Sequence, residues 1–367
     1  MRIFHVCADA GIPPDGTKGA SVHLRSIAAG LRRLGHDVTM FTARRSAGDA
    51  GLPVPARVLS GDASIREAAR KIGAPDLVYE RYTLGHARGL AAARAFGCPF
   101  TLEVNAPLVL EAGRHRPETV HPEDARTEEL LFSEADVVFA VSEPLRRHVA
   151  GIRGTNEGTE VLRNGCDPAL FPVPARLDRA LGDVLVFLGH PKPWHGAEAL
   201  PVLLAELVRR GRDPLLLLIG GGDGADQVLE GARLRGVGRR VIISGPVRHE
   251  AAARLLTLGT VAVAPYFPES FFYFCPLKVI ESMAAGVPTV SSAIGDIPTI
   301  VGDTGMLVPP GDPRALADAV ERVLVNGGLR RKLGSAARER AIRRFSWESA
   351  ARRIERAACS VLQEAAS

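Results

Sequence analysis

The run Tyr273-Phe274-Cys275-Pro276-Leu277-Lys278-Val279-Ile280-Glu281 sets a proline, a lysine and a glutamate where they can act on one small anionic ligand. Pro276 suits the first turn of a helix and pushes Cys275 out of the helical region. The unclaimed N–H groups of such a turn, with the helix dipole behind them, attract an anion. Lys278 adds a full positive charge beside them. Glu281 follows one turn down on the same face, where its carboxylate can accept two hydrogen bonds from a vicinal diol such as a ribose. The implied chemistry is a grip on a diphosphate at the helix tip and on a pentose along its flank.

The elements that must position these residues are legible as alternating apolar runs and amphipathic stretches. Ile3–Val6, Val38–Phe41, Leu77–Tyr79, Phe100–Val104, Val137–Val141 and Glu160–Leu162 read as strands in the first half of the chain. Val184–Leu188, Leu215–Ile219, Val241–Ser244, Val261–Ala264 and Thr289–Ser291 read as strands in the second. Helices are expected between them, including one carrying Leu24, Ile27, Ala28, Leu31 and Leu34 that Gly35 ends. Others run over Ala197–Arg209, Gly224–Arg235, Glu250–Leu256, Pro276–Ala285 and Trp347–Leu362. Strands joined through helices imply parallel sheets covered on both faces. The segment Asp167–Asp183, with Pro168, Pro172 and Pro174, has no period and marks a boundary. The expectation is an α/β chain of two Rossmann-like, doubly wound parallel-sheet domains facing each other across a cleft. The first spans 1–170 and the second 171–345; the helix in 346–367 crosses back to the first. Ligands of such sheets bind beyond the carboxyl ends of the strands.

Several strand-end loops carry suitable residues. Gly16-Thr17-Lys18-Gly19-Ala20-Ser21 opens a helix after the first strand; its small residues allow close approach of a phosphate or sugar, or Ser21 simply caps the helix. Glu103 and Asn105 follow a strand and point to the cleft end, or Asn105 caps the turn before Pro107. Tyr79-Glu80-Arg81-Tyr82 either lines an acceptor side or holds a surface ion pair, Glu80–Arg81. Arg163-Asn164-Gly165 ends the last strand of the first half, and Asn-Gly is also a good turn. Gly220-Gly221-Gly222-Asp223-Gly224 resembles a dinucleotide fingerprint, but Arg239, Arg240 and Val241 stand where the ribose acid belongs, so it reads as a tight turn. His23, His190 and His195 show no metal-ligand spacing.

Composition narrows the function classes. With 46 basic and 41 acidic side chains the net charge is +5, and no dense basic run demands nucleic acid. Cys7, Cys98, Cys166, Cys275 and Cys359 are too dispersed for a zinc site or a disulfide frame and read as free thiols of a cytoplasmic protein. No apolar run approaches a membrane span or a secretory signal.

At the segment Phe271–Val290, and at Gly16–Ser21, Glu103–Pro107, Val141-Ser142, Arg163–Asp167, Gly220–Gly224, Ala264–Tyr266 and Leu307–Asp312, the sequence resembles the retaining nucleotide-sugar glycosyltransferases with two Rossmann-like domains, the family-4, group 1 glycosyltransferases of GT-B type. The resemblance implies an enzyme that moves a sugar from a nucleoside-diphosphate sugar, UDP- or GDP-linked, to a soluble acceptor bearing a hydroxyl or other nucleophile. It implies no cofactor, metal or nucleic-acid partner, and it leaves the oligomeric state open. It assigns Lys192, Lys278 and Asn105 to catalysis. Gly19, Ala20, Arg163, Val247, Tyr273, Phe274, Cys275, Pro276, Leu277 and Glu281 fall to the donor, and His23, Arg81 and Glu103 to the acceptor. Two departures stand out. The family's first motif glutamate falls on Tyr273, which passes its sugar contact to backbone N–H groups, and the usual Arg and Lys of a strand-end motif are His190 and His195. A nucleotide-sugar epimerase and a catalytically silent sugar-nucleotide binder are the alternative readings.

Overall fold

The computed structural model describes residues 1–45, 51–61, 64–172 and 182–366. The chain forms two compact units. The first contains Met1–Asn164, Tyr273–Cys275 and Trp347–Ser367; the second contains Gly165–Phe272 and Pro276–Ser346. Part of the proline-bearing boundary segment, 173–181, lies outside the described residues.

In the first unit, seven strands lie in one sheet: β1 (Arg2–Cys7), β2 (Asp37–Thr42), β3 (Ala56–Val58), β4 (Leu77–Arg81), β5 (Phe100–Val104), β6 (Val137–Ala140) and β7 (Thr159–Val161). Their order is β3-β2-β1-β4-β5-β6-β7 and every pairing is parallel. The helices are α1 (Gly19–Arg33), α2 (Ser64–Ile72), α3 (Arg88–Phe96), α4 (Leu108–His115), α5 (Pro122–Glu134) and α6 (Glu143–Arg153). All of β4 and β5 is buried, the polar side chains of Glu80, Arg81, Thr101 and Glu103 included.

The second unit repeats the plan. Its strands β8 (Val184–Leu188), β9 (Leu215–Ile219), β10 (Val241–Ile243), β11 (Val261–Ala264), β12 (Thr289–Ser292) and β13 (Met306–Val308) pair in parallel in the order β10-β9-β8-β11-β12-β13. Its helices are α7 (Ala199–Arg209), α8 (Asp223–Leu234), α9 (His249–Leu256), α10 (Leu277–Ala284), α11 (Ile297–Val301), α12 (Pro313–Val325) and α13 (Gly327–Arg344). Leu185, Phe187, Leu200, Leu204, Leu216 and Leu218 anchor its core. Helix α13 has no amphipathic stripe because its arginines reach inward. Arg330 donates to the Val323 and Leu324 carbonyls of α12, Arg338 to Ala284 of α10 and Arg340 to Thr299 and Ile300 of α11. Each satisfies the orphan carbonyls of a helix end and matches its dipole.

The boundaries differ from the expected ones for a local reason. Cys166 N–H donates to Phe345 O at 2.7 Å, which draws the residues after Asn164 into the second unit. The last helix, α14 (Trp347–Ala366), packs on α1 in the first unit. Gly30 makes that approach possible, since a Cβ there would lie 3.0 Å from both Ala351 Cβ and the Trp347 carbonyl. Gly30→Leu is therefore expected to loosen α14, costing about 1–3 kcal/mol from overpacking. Limited proteolysis checks this: new cleavage within 347–366 is the expected result, and an unchanged digest contradicts it.

In both sheets the strand order reverses beside the first strand, between β1 and β4 and between β8 and β11. In doubly wound sheets that switch point opens the ligand crevice. Each unit thus directs attention to the loops after those strands.

Candidate active site

In the second unit, Lys278 comes to the switch point. Helix α10 begins at Leu277, one residue later than expected, because Pro276 keeps an extended ψ of 108° at the N-cap position. No side chain caps that first turn and it contains no acidic residue. The Lys278 stem is half-exposed, yet its Nζ is sealed from solvent without a hydrogen-bond partner. It sits 4.0 Å above the Phe187 ring of β8 and 5.9 Å from the Tyr266 ring that follows β11. Burial pushes this amine down to about 7.

The loop after β8 folds around its own histidines. His190 Nδ1 meets Gly221 O at 2.7 Å, and His195 Nδ1 lies 3.1 Å from His190 O and 3.2 Å from the Lys192 N–H. Burial, reinforced by the charges of Lys278 and Lys192, lowers His195 to about 3. His195 is thus a neutral ring and does not supply a cation there. Positive charge is left to Lys278 and to Lys192, which is exposed at the start of a short 3-10 turn. The glycine run after β9 is the tight turn expected. Gly220, at φ +143°, presses so close that a Cβ would stand 2.5 Å from Gly189 O.

Glu281, one turn below Lys278, is buried with His249 Nε2 at 2.6 Å from its Oε1. His249 opens α9 and was not anticipated. Its ring fixes the carboxylate, whose other oxygen keeps its acceptor capacity. Val247 is half-buried in the loop just before α9.

In the first unit, Glu103 at the end of β5 is a hub. Its carboxylate accepts from Tyr79 Oη and Asn105 Nδ2, from Arg81 Nη1 at 3.2 Å, and from His23 Nε2 at 2.7 and 2.9 Å from its two oxygens. Burial alone would raise its pKa, but His23, Arg81 and the Tyr79 hydroxyl overcome that and hold it far below the usual carboxylate range. His23, Arg81 and Glu103, expected on the acceptor side, are all three buried and tied to one another. The surface pair Glu80–Arg81 is corrected too. Glu80 is wholly buried, accepts from the Leu90 N–H at the start of α3, and is raised by burial to about 8.

Gly19 and Ala20 open α1 behind Lys18, and that turn has neither a side-chain cap nor an acidic residue. Ser21 lies inside the helix and caps nothing; Gly16 packs on it. Arg25 pins the preceding loop through the carbonyls of Pro14 at 2.8 Å and Gly16 at 2.7 Å. Tyr273–Cys275 belongs to this unit. Ser142 Oγ donates to Tyr273 O at 2.6 Å, and Asn164 Nδ2 donates to Cys275 O at 2.6 Å. Arg163 is half-buried next to Asn164.

Two parallel-sheet units of this strand order define a two-domain Rossmann-like GT-B fold, and the comparisons with known proteins agree. Residues 17–170 match Glycosyltransferase Family 4 and residues 182–326 match Glycosyl transferases group 1. A D-inositol 3-phosphate glycosyltransferase of Nocardioides sp. is 30% identical over 333 residues, covering 83% of this chain and 71% of that protein. Sucrose-phosphate synthase from Thermosynechococcus elongatus superposes with a TM-score of 0.80 at 23% identity over 100% of both chains. Anabaena HepE in complex with UDP and glucose gives 0.76 at 19% identity, over 98% of this chain and 100% of that one. The chain belongs to the family-4, group 1 glycosyltransferases and is an enzyme of the glycosyltransferase class. Among the described residues, no helix is long and apolar enough to cross a membrane.

Proposed function

We propose that this enzyme is a retaining transferase that moves a hexosyl group from a UDP- or GDP-sugar to a hydroxyl or other nucleophile of a soluble small acceptor, with no metal or cofactor. The observation that carries the reading is the Lys278 amine, sealed and without a hydrogen-bond partner at the β8–β11 switch point, one turn above an oriented Glu281. A buried amine that lacks an anion is poorly solvated, and a diphosphate would supply the missing counter-charge. The likeness to a protein crystallised with UDP and glucose supports the same class of donor.

In this reading Glu281 accepts from the ribose hydroxyls, while Lys278, Lys192 and the first turn of α10 take the diphosphate. The N–H of Phe274 opposes the Tyr273 carbonyl across a trans peptide. With that carbonyl held by Ser142, the N–H points the other way and serves the sugar in place of the absent glutamate. The family resemblance gives Asn105, its amide held by Glu103, a part in the transfer. The bond from the anomeric carbon to the phosphate oxygen breaks as the acceptor oxygen bonds on the same face, and the acceptor proton passes to the leaving phosphate oxygen. Charge growing on the diphosphate is stabilised by groups already in place.

A thermal-shift screen over UDP-, GDP-, ADP- and TDP-sugars tests the donor, because a ligand that binds only the folded state raises the melting temperature. NMR of the product anomer tests retention. A rise with one base and product of unchanged anomeric configuration are expected; no shift with any donor, or an inverted product, contradicts the reading. Interconversion of donors without acceptor would restore the epimerase alternative.

A further inference from the structure

The hub in the first unit continues past Glu103. His23, on α1, has its Nε2 on that carboxylate and its Nδ1 2.7 Å from Asn164 Oδ1. Asn164 in turn reaches Cys275, with Nδ2 on its carbonyl and the Asn164 N–H 3.3 Å from its Sγ. Hydrogen-bond polarity fixes every link. A backbone carbonyl only accepts, so Asn164 must present its NH2 to Cys275 and its oxygen to His23. His23 Nδ1 must then donate. The ionised Glu103 also only accepts, so Nε2 must donate as well. Both ring nitrogens therefore serve as donors, one to the carboxylate and one to the amide.

We propose that Glu103, His23 and Asn164 are positioning residues for glycosyl transfer, a relay of fixed polarity that sets the backbone of Tyr273–Cys275. This rests on the reading above, in which that segment meets the donor sugar. The other groups facing the ring are consistent with two donating nitrogens. Arg81 and Tyr79 on β4 bind the same carboxylate, and His5 on β1 is lowered by burial to about 4 and stays neutral. The Trp347 indole of α14 stands edge-on at 5.0 Å. A neutral His23 that keeps its Nε2 proton on Glu103 would set the Nδ1 lone pair against the Asn164 oxygen. Asn164 would then turn over and release Cys275. Ser142 holds the first residue of the same segment through Tyr273 O.

Two variants cut the relay at different links. Asn164→Asp can still accept from His23 but cannot donate to Cys275 O. His23→Gln still donates to Glu103 but turns an oxygen toward Asn164. Titration calorimetry with UDP and UDP-glucose, and with GDP and GDP-mannose, should show the sugar nucleotide weakened about tenfold relative to the bare nucleotide in both variants. A general structural defect would weaken both ligands alike. Folded variants with the wild-type ratio would overturn the relay. Independently, ¹⁵N NMR of the wild-type protein at pH 7 should show both His23 ring nitrogens protonated, and a single neutral tautomer would overturn it whatever the variants do. If wild-type protein binds no nucleotide of any pair, it is the donor reading that fails, and the NMR alone then decides the relay.

Discussion

Lys278→Met is expected to melt at a higher temperature than the wild type and to lose turnover by about 10²–10³-fold, the range found when one preorganised charge-stabilising group is removed. The two effects share a cause. The ordinary lysine value is 10.5 and burial brings this amine to about 7. Between those values the unfolded chain binds a proton that the folded protein does not, so wild-type stability should rise with pH from about 7 to 10.5. Below about 7 both forms are charged and the penalty of sealing an ammonium over Phe187 and Tyr266 is complete. Methionine fills the same space without charge, which removes the penalty and flattens that pH dependence. A diphosphate bound at the amine reverses the balance by favouring its protonated form. Nucleotide binding above pH 7 should therefore take up a proton and weaken as pH rises, which calorimetry in buffers of different ionisation enthalpy reads directly. A Lys278→Met protein with wild-type kcat/KM would remove the amine from the reaction.

The same helix shows what a sequence can and cannot disclose. Pro276, Lys278 and Glu281 declared themselves because helix chemistry is local: a cap, a charge and one turn of spacing. The buried strands declared themselves as runs such as Val184–Leu188, since a sheet covered on both faces needs no alternation. Three-residue strands, Ala56–Val58 and Met306–Val308, are too short to show a period. Helix α13 hides its packing because its arginines, polar in any pattern, serve the carbonyls of three other helices. Long-range partners were the least visible. Tyr273 and Cys275 are tied to Ser142 and Asn164, 131 and 111 residues away. Nothing in these three residues announces that they fold with the first unit while the helix they lead into folds with the second. His249, 32 residues from Glu281, carries no local signal either.

Glu103 illustrates the same point and yields the sharpest stability expectation. As a lone acid after a strand it suggests a ligand contact; its donors from positions 23, 79, 81 and 105 turn it into the counter-charge of a buried cluster. Glu103→Gln keeps the shape but sets an NH2 against donors, and it leaves Arg81 and His23 without a carboxylate. Removing one partner of a buried ion pair costs about 3–5 kcal/mol, so the denaturation midpoint should fall sharply, well beyond the effect of an exposed acid such as Glu118 changed to glutamine. The sign with pH follows from the direction of the shift. Because the folded value lies below the ordinary 4.5, the stabilisation is complete above that value and is lost as pH falls below it. The wild type should therefore lose stability in acid along a slope that Glu103→Gln lacks. A variant with wild-type stability and the same acid slope would show that His23 and Arg81 do not depend on this carboxylate, and both the hub and the orientation of Asn105 would have to be reassigned.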